Sequence, residues 1–319
     1  MKLYKFYILA AAVITCLFLS TSCRTQTVKL ALKLEQGQSQ TYRLQTISQR
    51  KAEIQGAQAE AAASLRGGQT TDKIEMVFDQ DIQNIDDVGN AIEKITIKEL
   101  KYFAEVKDNP VLEFDSTKNK EPNDALAALI GHSYTIEVTP SGKVTKVIDI
   151  NDVLTALRNT PSNIEAARGL LSDKTIERRH SVPLPDVNNN KLSTGETWSN
   201  DARFNFDKLG IKSYDRIYKL KKIEKTDGNE NAVIEMDAVP SIDGMKQTYR
   251  QPGSPEPMTD IRLTYTGQMN FNVTEGTLEK YQENLNNEWL IAFPLPDQQG
   301  PPLTLSMTAI QSYIIEKIN

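Results

Sequence analysis

The sequence predicts a mainly β (α+β) fold, with long antiparallel strands in two sheet-rich halves and a few helices packed on one face in a half-barrel-like arrangement. Apolar and polar residues alternate over many long segments, which is the pattern of strands that bury one face. Helical spacing of apolar residues is confined to the middle of the chain. With 39% hydrophobic and 25% charged residues, the composition is that of a folded globular protein.

The first sheet-rich half is predicted to cover residues 28–150. Alternation over Val28–Leu34, and again after Gly37, indicates two strands joined by a turn. In the run Ile92–Val106 the apolar residues shift from odd to even positions, which predicts a β-bulge near Lys98 and Glu99. Further strands are expected at Ile74–Phe78, Val111–Phe114, Tyr134–Val138 and Val144–Ile148.

A helical connection is predicted over residues 151–189, with one helical turn just before it. Asn123 is a suitable N-cap for a turn that ends at Gly131, and Asn151 is a suitable N-cap for a helix over residues 152–158. Thr160 and Pro161 fit the start of a further helix. The apolar stripes of these helices are expected to cover a sheet.

The second sheet-rich half is predicted to cover residues 190–319. Strand patterning resumes at Trp198, and Asp227-Gly228 predicts a hairpin turn. Each half contains a hairpin in which Val-Thr precedes a glycine turn, at Gly142 and at Gly276. This similarity suggests an internal duplication, although any two β-hairpins would also produce it, so both explanations stay open.

The N-terminal segment predicts export from the cell. Lys2 and Lys5 precede the uncharged apolar run Phe6–Leu19, which is the pattern of a signal peptide over residues 1–22. These 14 residues would rise about 21 Å as a helix, short of a hydrocarbon core of about 30 Å. A permanent membrane span is therefore the weaker alternative.

The end of the leader resembles the lipobox of bacterial lipoproteins, in which small residues precede a cysteine that is diacylated. The resemblance implies lipid on Cys23, followed by a short tether, so that residues 23–27 link the lipid to the body. The sequence departs from the usual pattern, because Ser20 stands where leucine is common and Leu19 lies one position earlier. The alternative is ordinary cleavage with Cys23 left as a free thiol, a liability in an exported protein. The other cysteine, Cys16, lies in the apolar run, so the mature body has none for a disulfide.

The charge distribution argues against nucleic acid as a partner. Loss of Lys2 and Lys5 leaves 35 basic residues against 42 acidic ones, and the formal net charge moves from -5 to -7. Phosphate-binding surfaces need clustered Lys and Arg. The basic runs Lys219–Lys225 and Arg178–His180 are short and adjoin or contain glutamate, and both are predicted to be solvated faces.

Signatures of catalysis are absent from the chain, which contains no GxSxG, HExxH, GxxxxGK[ST], GxGxxG or CxxC. The two histidines, His132 and His180, lack a local nucleophile or metal-ligand spacing, so we expect each to be solvent-exposed or capping. No catalytic residue and no cofactor are predicted. Carboxylate-based hydrolysis stays open, because partner carboxylates can come from any strand.

Two weaker signals remain. Asp186, Asn188 and Asn190 have the first spacings of a calcium loop, but lysine and threonine stand where that loop needs glycine and glutamate. No metal site is therefore predicted. Trp198 and Trp289 are expected to be core or half-core anchors rather than ligand platforms.

Several segments together resemble an uncharacterised family (a domain of unknown function) of exported bacterial lipoproteins of about this length. They are the strand-turn-strand-helix run Gly131–Leu157, the Pro183-Leu184-Pro185 stretch, and Gly195–Trp198. The likeness spans most of the mature chain and carries no established activity. A fainter, purely architectural likeness links the predicted fold to lipoprotein-carrier half-barrels, whose concave apolar surface holds acyl chains.

These observations predict a lipoprotein of the cell envelope that is exported, lipid-anchored to a bacterial membrane and faces the periplasm. Its expected role is non-catalytic, either binding or structural. The partners expected are the membrane, through lipid on Cys23, and an envelope protein or an apolar ligand. The alternatives are a carrier or sensor of an apolar ligand and, more weakly supported, a carboxylate-based hydrolase.

Overall fold

A computed structural model describes residues 26–55, 68–118, 123–186, 191–206, 211–226, 228–241, 259–293 and 303–318. The mainly β prediction is confirmed, because most of these residues lie in strands that join one antiparallel sheet of 12 strands. Two further short strands form a separate two-stranded sheet. Short helices lie in the middle of the chain, between the seventh and eighth strands.

Long strands dominate the chain order. The strands are β1 (Thr27–Val28), β2 (Ser39–Gln55), β3 (Gln69–Ile85), β4 (Ala91–Val106), β5 (Asn109–Asp115), β6 (Ser133–Val138), β7 (Val144–Asp149), β8 (Leu192–Ser193), β9 (Thr197–Asn205), β10 (Ile211–Thr226), β11 (Asn229–Pro240), β12 (Thr259–Asn272), β13 (Thr277–Phe293) and β14 (Leu303–Ile318). Across the large sheet their order is β7-β6-β4-β3-β2-β14-β13-β12-β11-β10-β9, and β5 also pairs with β4. The last strand, β14, therefore lies between β2 and β13.

Two local sequence predictions are confirmed by the strand register. Between β3 and β4, Val77 pairs with Glu99 and Phe78 with Ile97, so Lys98 is the extra residue of the predicted bulge. The hairpin between β10 and β11 is also present, and its strands end at Thr226 and begin at Asn229. Asp227 of its turn lies outside the described residues.

The strand predicted over Val28–Leu34 is wrong. Only Thr27–Val28 is a strand, and it pairs with β8 instead of β2. Both edges of β2 are already occupied, by β3 and β14, so the N-terminal segment has no edge of β2 to join. Sequence alternation alone could not reveal this competition between strands.

The N-terminal segment instead forms a strap, residues 30–35, across one end of the large sheet. The Leu32 N–H donates to the carbonyl of Pro140 (2.8 Å), and the Lys33 N–H donates to the carbonyl of Gly276 (3.0 Å). Leu30, the first residue of the strap, has a buried side chain. The strap thus ties together the β6–β7 and β12–β13 turns, and we call this the closed end.

The helices differ from the prediction in detail. They are α1 (Asn151–Ala156), α2 (Ile164–Leu170) and α3 (Asp173–His180), with single 3-10 turns at Ala127–Leu129 and Leu157–Asn159. The turn predicted after Asn123 is therefore only a 3-10 turn. Helix α3 was not predicted from the pattern of apolar residues, because Ile176 is its only large apolar residue. Its N-cap, Ser172, accepts a bond from the Thr175 N–H.

The large sheet is strongly curved. The ring of Phe206, directly after β9, lies 4.9 Å from that of Trp289 on β13. Four strand steps separate these strands, about 19 Å in a flat sheet, so the buried face must be concave. Alternate residues along the strands point to this concave face and form the core. Its fully buried members include Leu44, Met76, Phe78, Ile95, Leu100, Tyr134, Tyr218, Phe271 and Trp289.

Candidate ligand cavity

Several predicted residues cannot be placed. Cys23, together with the whole leader, lies outside the described residues, as do Asn188 and Asn190 of the calcium-like spacing.

Within the described ranges, no group of three or more His, Cys, Asp or Glu side chains is arranged to hold a metal ion. No helix among the described residues is long and apolar enough to cross a membrane.

His132 is at the surface, as predicted. Its Nδ1 lies 2.9 Å from the Asp152 carboxylate in α1, and both side chains are substantially exposed. Asp152 also accepts the Ser133 N–H at 2.9 Å. The bond from His132 and that from Ser133 lower the pKa of Asp152. The Ser133 hydroxyl donates to the same carboxylate at 3.2 Å, so the arrangement fixes α1 to the start of β6.

His180 contradicts the prediction, because it is neither exposed nor part of a solvated basic run. It ends α3 inside the concave face, with its Nε2 2.6 Å from the Tyr134 hydroxyl. Arg179 is buried beside it and donates to the same hydroxyl at 3.2 Å, so that hydroxyl donates its proton to His180. Burial lowers the pKa of His180 well below its usual value, and the charge of Arg179 adds to this. In the run Arg178–His180 only Arg178 is exposed, because the end of α3 packs against the sheet.

The concave face carries a largely enclosed ion pair on the second half of the sheet. Arg216 of β10 contacts Glu283 of β13, with Nη1 and Oε2 3.1 Å apart. The same oxygen accepts the hydroxyls of Tyr281 (2.7 Å) and Tyr265 (2.9 Å). Burial, followed by the charge of Glu283, raises the pKa of both tyrosines. Three donors therefore converge on one carboxylate oxygen.

The end of the sheet opposite the strap, which we call the open end, contains a cavity of about 410 Å³. Its wall comes from the ends of β2, β3, β4, β13 and β14 and from Phe206. The apolar part of the wall consists of Ala52, Val106, Phe206, Trp289, Met307 and Ala309. This volume falls within the roughly 300–1,000 Å³ of ordinary ligand pockets. We call it the apolar cavity.

Three basic residues, Arg50, Lys51 and Lys107, also line the apolar cavity, and the rest of its lining is Gly68, Gln69, Thr70 and Thr308. Lys51 forms an ion pair with Glu53. The stem of Lys107 runs along Gly68, where an added Cβ would lie 3.1 Å from Lys107 Cγ. The apolar wall therefore borders a charged rim. A larger cavity, about 700 Å³ near β5, has six charged residues in its lining and suits an apolar ligand less well.

The two tryptophans hold different positions, and their burial is that of the predicted core and half-core residues. Trp289 is completely buried behind the apolar cavity, and its Nε1 has no hydrogen-bond partner. Trp198 is half-buried and donates from Nε1 to the Pro183 carbonyl at 3.0 Å. Its ring stacks on Tyr218, with centroids 5.4 Å apart and planes 14° from parallel. Trp198 lies beside a second, polar groove rather than the apolar cavity.

Fold and cavity define a class of protein: a curved antiparallel sheet with a ligand-sized apolar cavity at one end. The chain belongs to DUF6263, a family of unknown function whose model matches residues 88–278. This confirms the resemblance to an uncharacterised family. No curated protein matches the chain.

Comparison with solved structures includes lipovitellin, from a structure on lipid-protein interactions in that protein. The TM-score is 0.43 at 8% sequence identity, and the match covers 90% of this chain. The chain spans only 26% of the lipovitellin chain. A similarity at this level carries no argument about the function.

Proposed function

We propose that the protein is a non-catalytic lipoprotein of the bacterial cell envelope that binds an apolar chain, such as an acyl chain, in the apolar cavity. The observation that carries this proposal is the apolar wall of that cavity, set at the open end of a concave sheet. Burying each methylene group there would contribute about 0.8 kcal/mol. An acyl chain of moderate length therefore has enough apolar surface for useful affinity.

The setting of the two histidines supports a role without catalysis. His180 is enclosed by Tyr134, Arg179 and Phe78, and His132 is bound to Asp152. Glu283 is largely enclosed, and its Oε2 accepts hydrogen bonds from Arg216, Tyr265 and Tyr281. General acid-base chemistry needs a titratable group that can reach substrate. His180 and Glu283 are enclosed, and the partly exposed His132 is held by Asp152.

Lipid on Cys23 would place the closed end near the membrane. Four residue steps separate Cys23 from Thr27, at most about 14 Å of extended chain. Gln26 contacts Glu230, whose N–H is bound by Thr274 beside the strap. From Thr277 to Trp289, β13 runs roughly 40 Å towards the open end. The apolar cavity would then face away from the anchor, which favours exchange of ligand with a second envelope component.

The binding proposal is tested by filling the cavity. Met307 lies in its wall, and Ile310 lies on the opposite face of the same strand and is 37% exposed. We expect Met307→Trp to weaken the binding of dansyl undecanoic acid, followed by its fluorescence, by tenfold or more. The matched control, Ile310→Trp, should bind within about twofold of the wild type. Absence of binding to the wild type, or equal loss in both variants, would refute the proposal.

Attachment of lipid to Cys23 is tested separately. Metabolic labelling with palmitate should mark the wild type and not Cys23→Ala, and only the wild type should partition into detergent. Unchanged labelling and partitioning in Cys23→Ala would exclude lipid on this residue. The result does not depend on the outcome at the cavity.

A further inference from the structure

A third cavity, of about 690 Å³, lies where the two edges of the curved sheet approach each other. Three stretches of chain form its walls: the β6–β7 turn with Ser141 and Lys143, residues 181–186, and the start of β9. Arg216 of β10 lies at its inner side. We call it the polar groove, and it shares no lining residue with the apolar cavity.

The walls of the polar groove are fixed to one another by hydrogen bonds. The Val182 N–H donates to the Gly142 carbonyl at 2.7 Å, which joins the turn to residues 181–186. Gly142 has no room for a side chain, because an added Cβ would lie 2.5 Å from the carbonyl oxygen of Val182. On the other side, Trp198 Nε1 binds the Pro183 carbonyl. A ligand would therefore enter a groove that is already ordered, at little conformational cost.

The aromatic ring in this groove is held in place without being buried. Trp198 is fixed on one face by Tyr218 and at its N–H by Pro183, yet it remains half-buried and lines the groove. A rigid, partly exposed indole provides a large contact surface that loses little entropy when a ligand packs on it.

The polar groups around this ring carry both signs of charge. Asp186 and Asp201 are exposed carboxylates in the lining, and Lys143 and Arg216 are the cations. Arg216 is 83% enclosed, since its side chain is 17% exposed, and it is oriented by Asn200, whose Oδ1 accepts its Nε at 2.9 Å. Neither sign is in excess, so the groove suits a neutral ligand rich in hydrogen-bonding groups better than an anion or a cation.

We infer that the polar groove binds an oligosaccharide, with a sugar ring packed on Trp198. A sugar has a face of C–H groups that can lie on an indole ring, and hydroxyls around its rim that both donate and accept. Carboxylates accept from such hydroxyls, while Lys143 and Arg216 donate to them. The site is separate from the apolar cavity and does not depend on the function proposed there.

Calorimetry and the fluorescence of Trp198 test this inference with maltotriose, cellotriose and chitotriose at up to millimolar concentrations. The protein should be full-length with Trp289→Phe, which leaves Trp198 as its single tryptophan. We expect at least one trisaccharide to bind and to change the fluorescence. Asp186→Ala should weaken that binding by about tenfold, as loss of a charged hydrogen bond predicts.

Matched variants test whether the sugar binds in the polar groove. Asp237→Ala removes an exposed carboxylate on the outward face of β11 and should leave affinity within about twofold. Trp198→Phe keeps an aromatic ring but loses the bond to Pro183. Lys143→Met keeps the length of the side chain without its charge. Each variant should weaken sugar binding while its circular dichroism spectrum stays the same as that of the wild type. The inference is overturned if none of the three sugars binds, or if Asp186→Ala and Asp237→Ala have the same affinity.

Discussion

Two carboxylates on the concave face, Glu93 in the first half of the sheet and the largely enclosed Glu283 in the second, have opposite surroundings. Glu283 on β13 receives Arg216 and two tyrosine hydroxyls. Glu93 on β4 is 1% exposed, has one hydrogen bond from Gln80, and leaves Oε1 without a partner. Burial raises the pKa of Glu93 to about 8. The comparison teaches that one half of the core surrounds its carboxylate with a cation and hydroxyl donors, while in the other half burial beside a single donor favours a neutral acid.

Loss of the ion pair between Arg216 and Glu283 should have the largest effect on the free energy of unfolding. Arg216→Met would remove the guanidinium and leave the Glu283 carboxylate enclosed without its cation. We expect a loss of about 3–5 kcal/mol in the free energy of unfolding, measured by urea denaturation. The control is Arg203→Met, because Arg203 pairs with Asp201 at 3.5 Å and both side chains are 68% exposed. That variant should lose less than about 1 kcal/mol, and a similar loss in both would contradict the role given to burial.

The stability of the protein should depend on pH through Glu93. The folded pKa of Glu93, about 8, lies above its ordinary value of 4.5, so between these values the folded state holds a proton that the unfolded state releases. Stability is therefore greatest below pH 4.5 with respect to this group. It falls as pH rises towards 8, by at most about 1.4 kcal/mol per pH unit.

Glu93→Gln should remove this dependence and be more stable than the wild type at pH 8. Denaturation at pH 5, 6.5 and 8 provides the measurement. Glu99→Gln, an exposed position on the same strand, is the control and should keep the wild-type slope. Parallel curves for Glu93→Gln and the wild type would show that Glu93 is not a buried neutral acid.

Much of the fold could be predicted from the sequence, because it depends on local patterns. Alternation locates most of the long strands, and the phase shift within Ile92–Val106 locates the bulge at Lys98. The fate of Val28–Leu34 could not be predicted, since it depends on which strands occupy the edges of β2. A local sequence pattern does not specify which distant segments pair as neighbouring strands.

The sites were less predictable than the strands. His180 and Arg179 belong to a basic run of the kind usually solvated, and only the packing of α3 against the sheet buries them. The Arg216 and Glu283 pair joins residues 67 positions apart on strands that curvature brings together. One signal was available in the sequence. Tyr265, Tyr281 and Glu283 fall at alternate positions of strand-like runs, which predicts their placement on one face but not the arginine that meets them.

The last and smallest effect tests whether the strap contributes to the burial of Glu93. A small cavity of about 20 Å³ lies between the strap and the neighbours of Glu93, bordered by Lys33, Gly276 and Gln80. It has room for about one water molecule. Gly276 has φ +66°, and an added Cβ would lie 2.6 Å from the backbone nitrogen of Lys33.

Gly276→Ala should therefore displace the strap, at a cost of about 1–3 kcal/mol. Gly37→Ala is the control, because Gly37 has φ +83° but nothing within 4 Å of an added Cβ, so it measures backbone strain alone. We expect Gly276→Ala to unfold at lower urea than Gly37→Ala and to show a shallower loss of stability from pH 5 to 8, because water that enters beneath the strap solvates ionised Glu93. Equal midpoints in the two variants would show that the strap does not press on Gly276. An unchanged pH slope in Gly276→Ala would show that the shielding of Glu93 comes from the sheet and the helices, not from the strap.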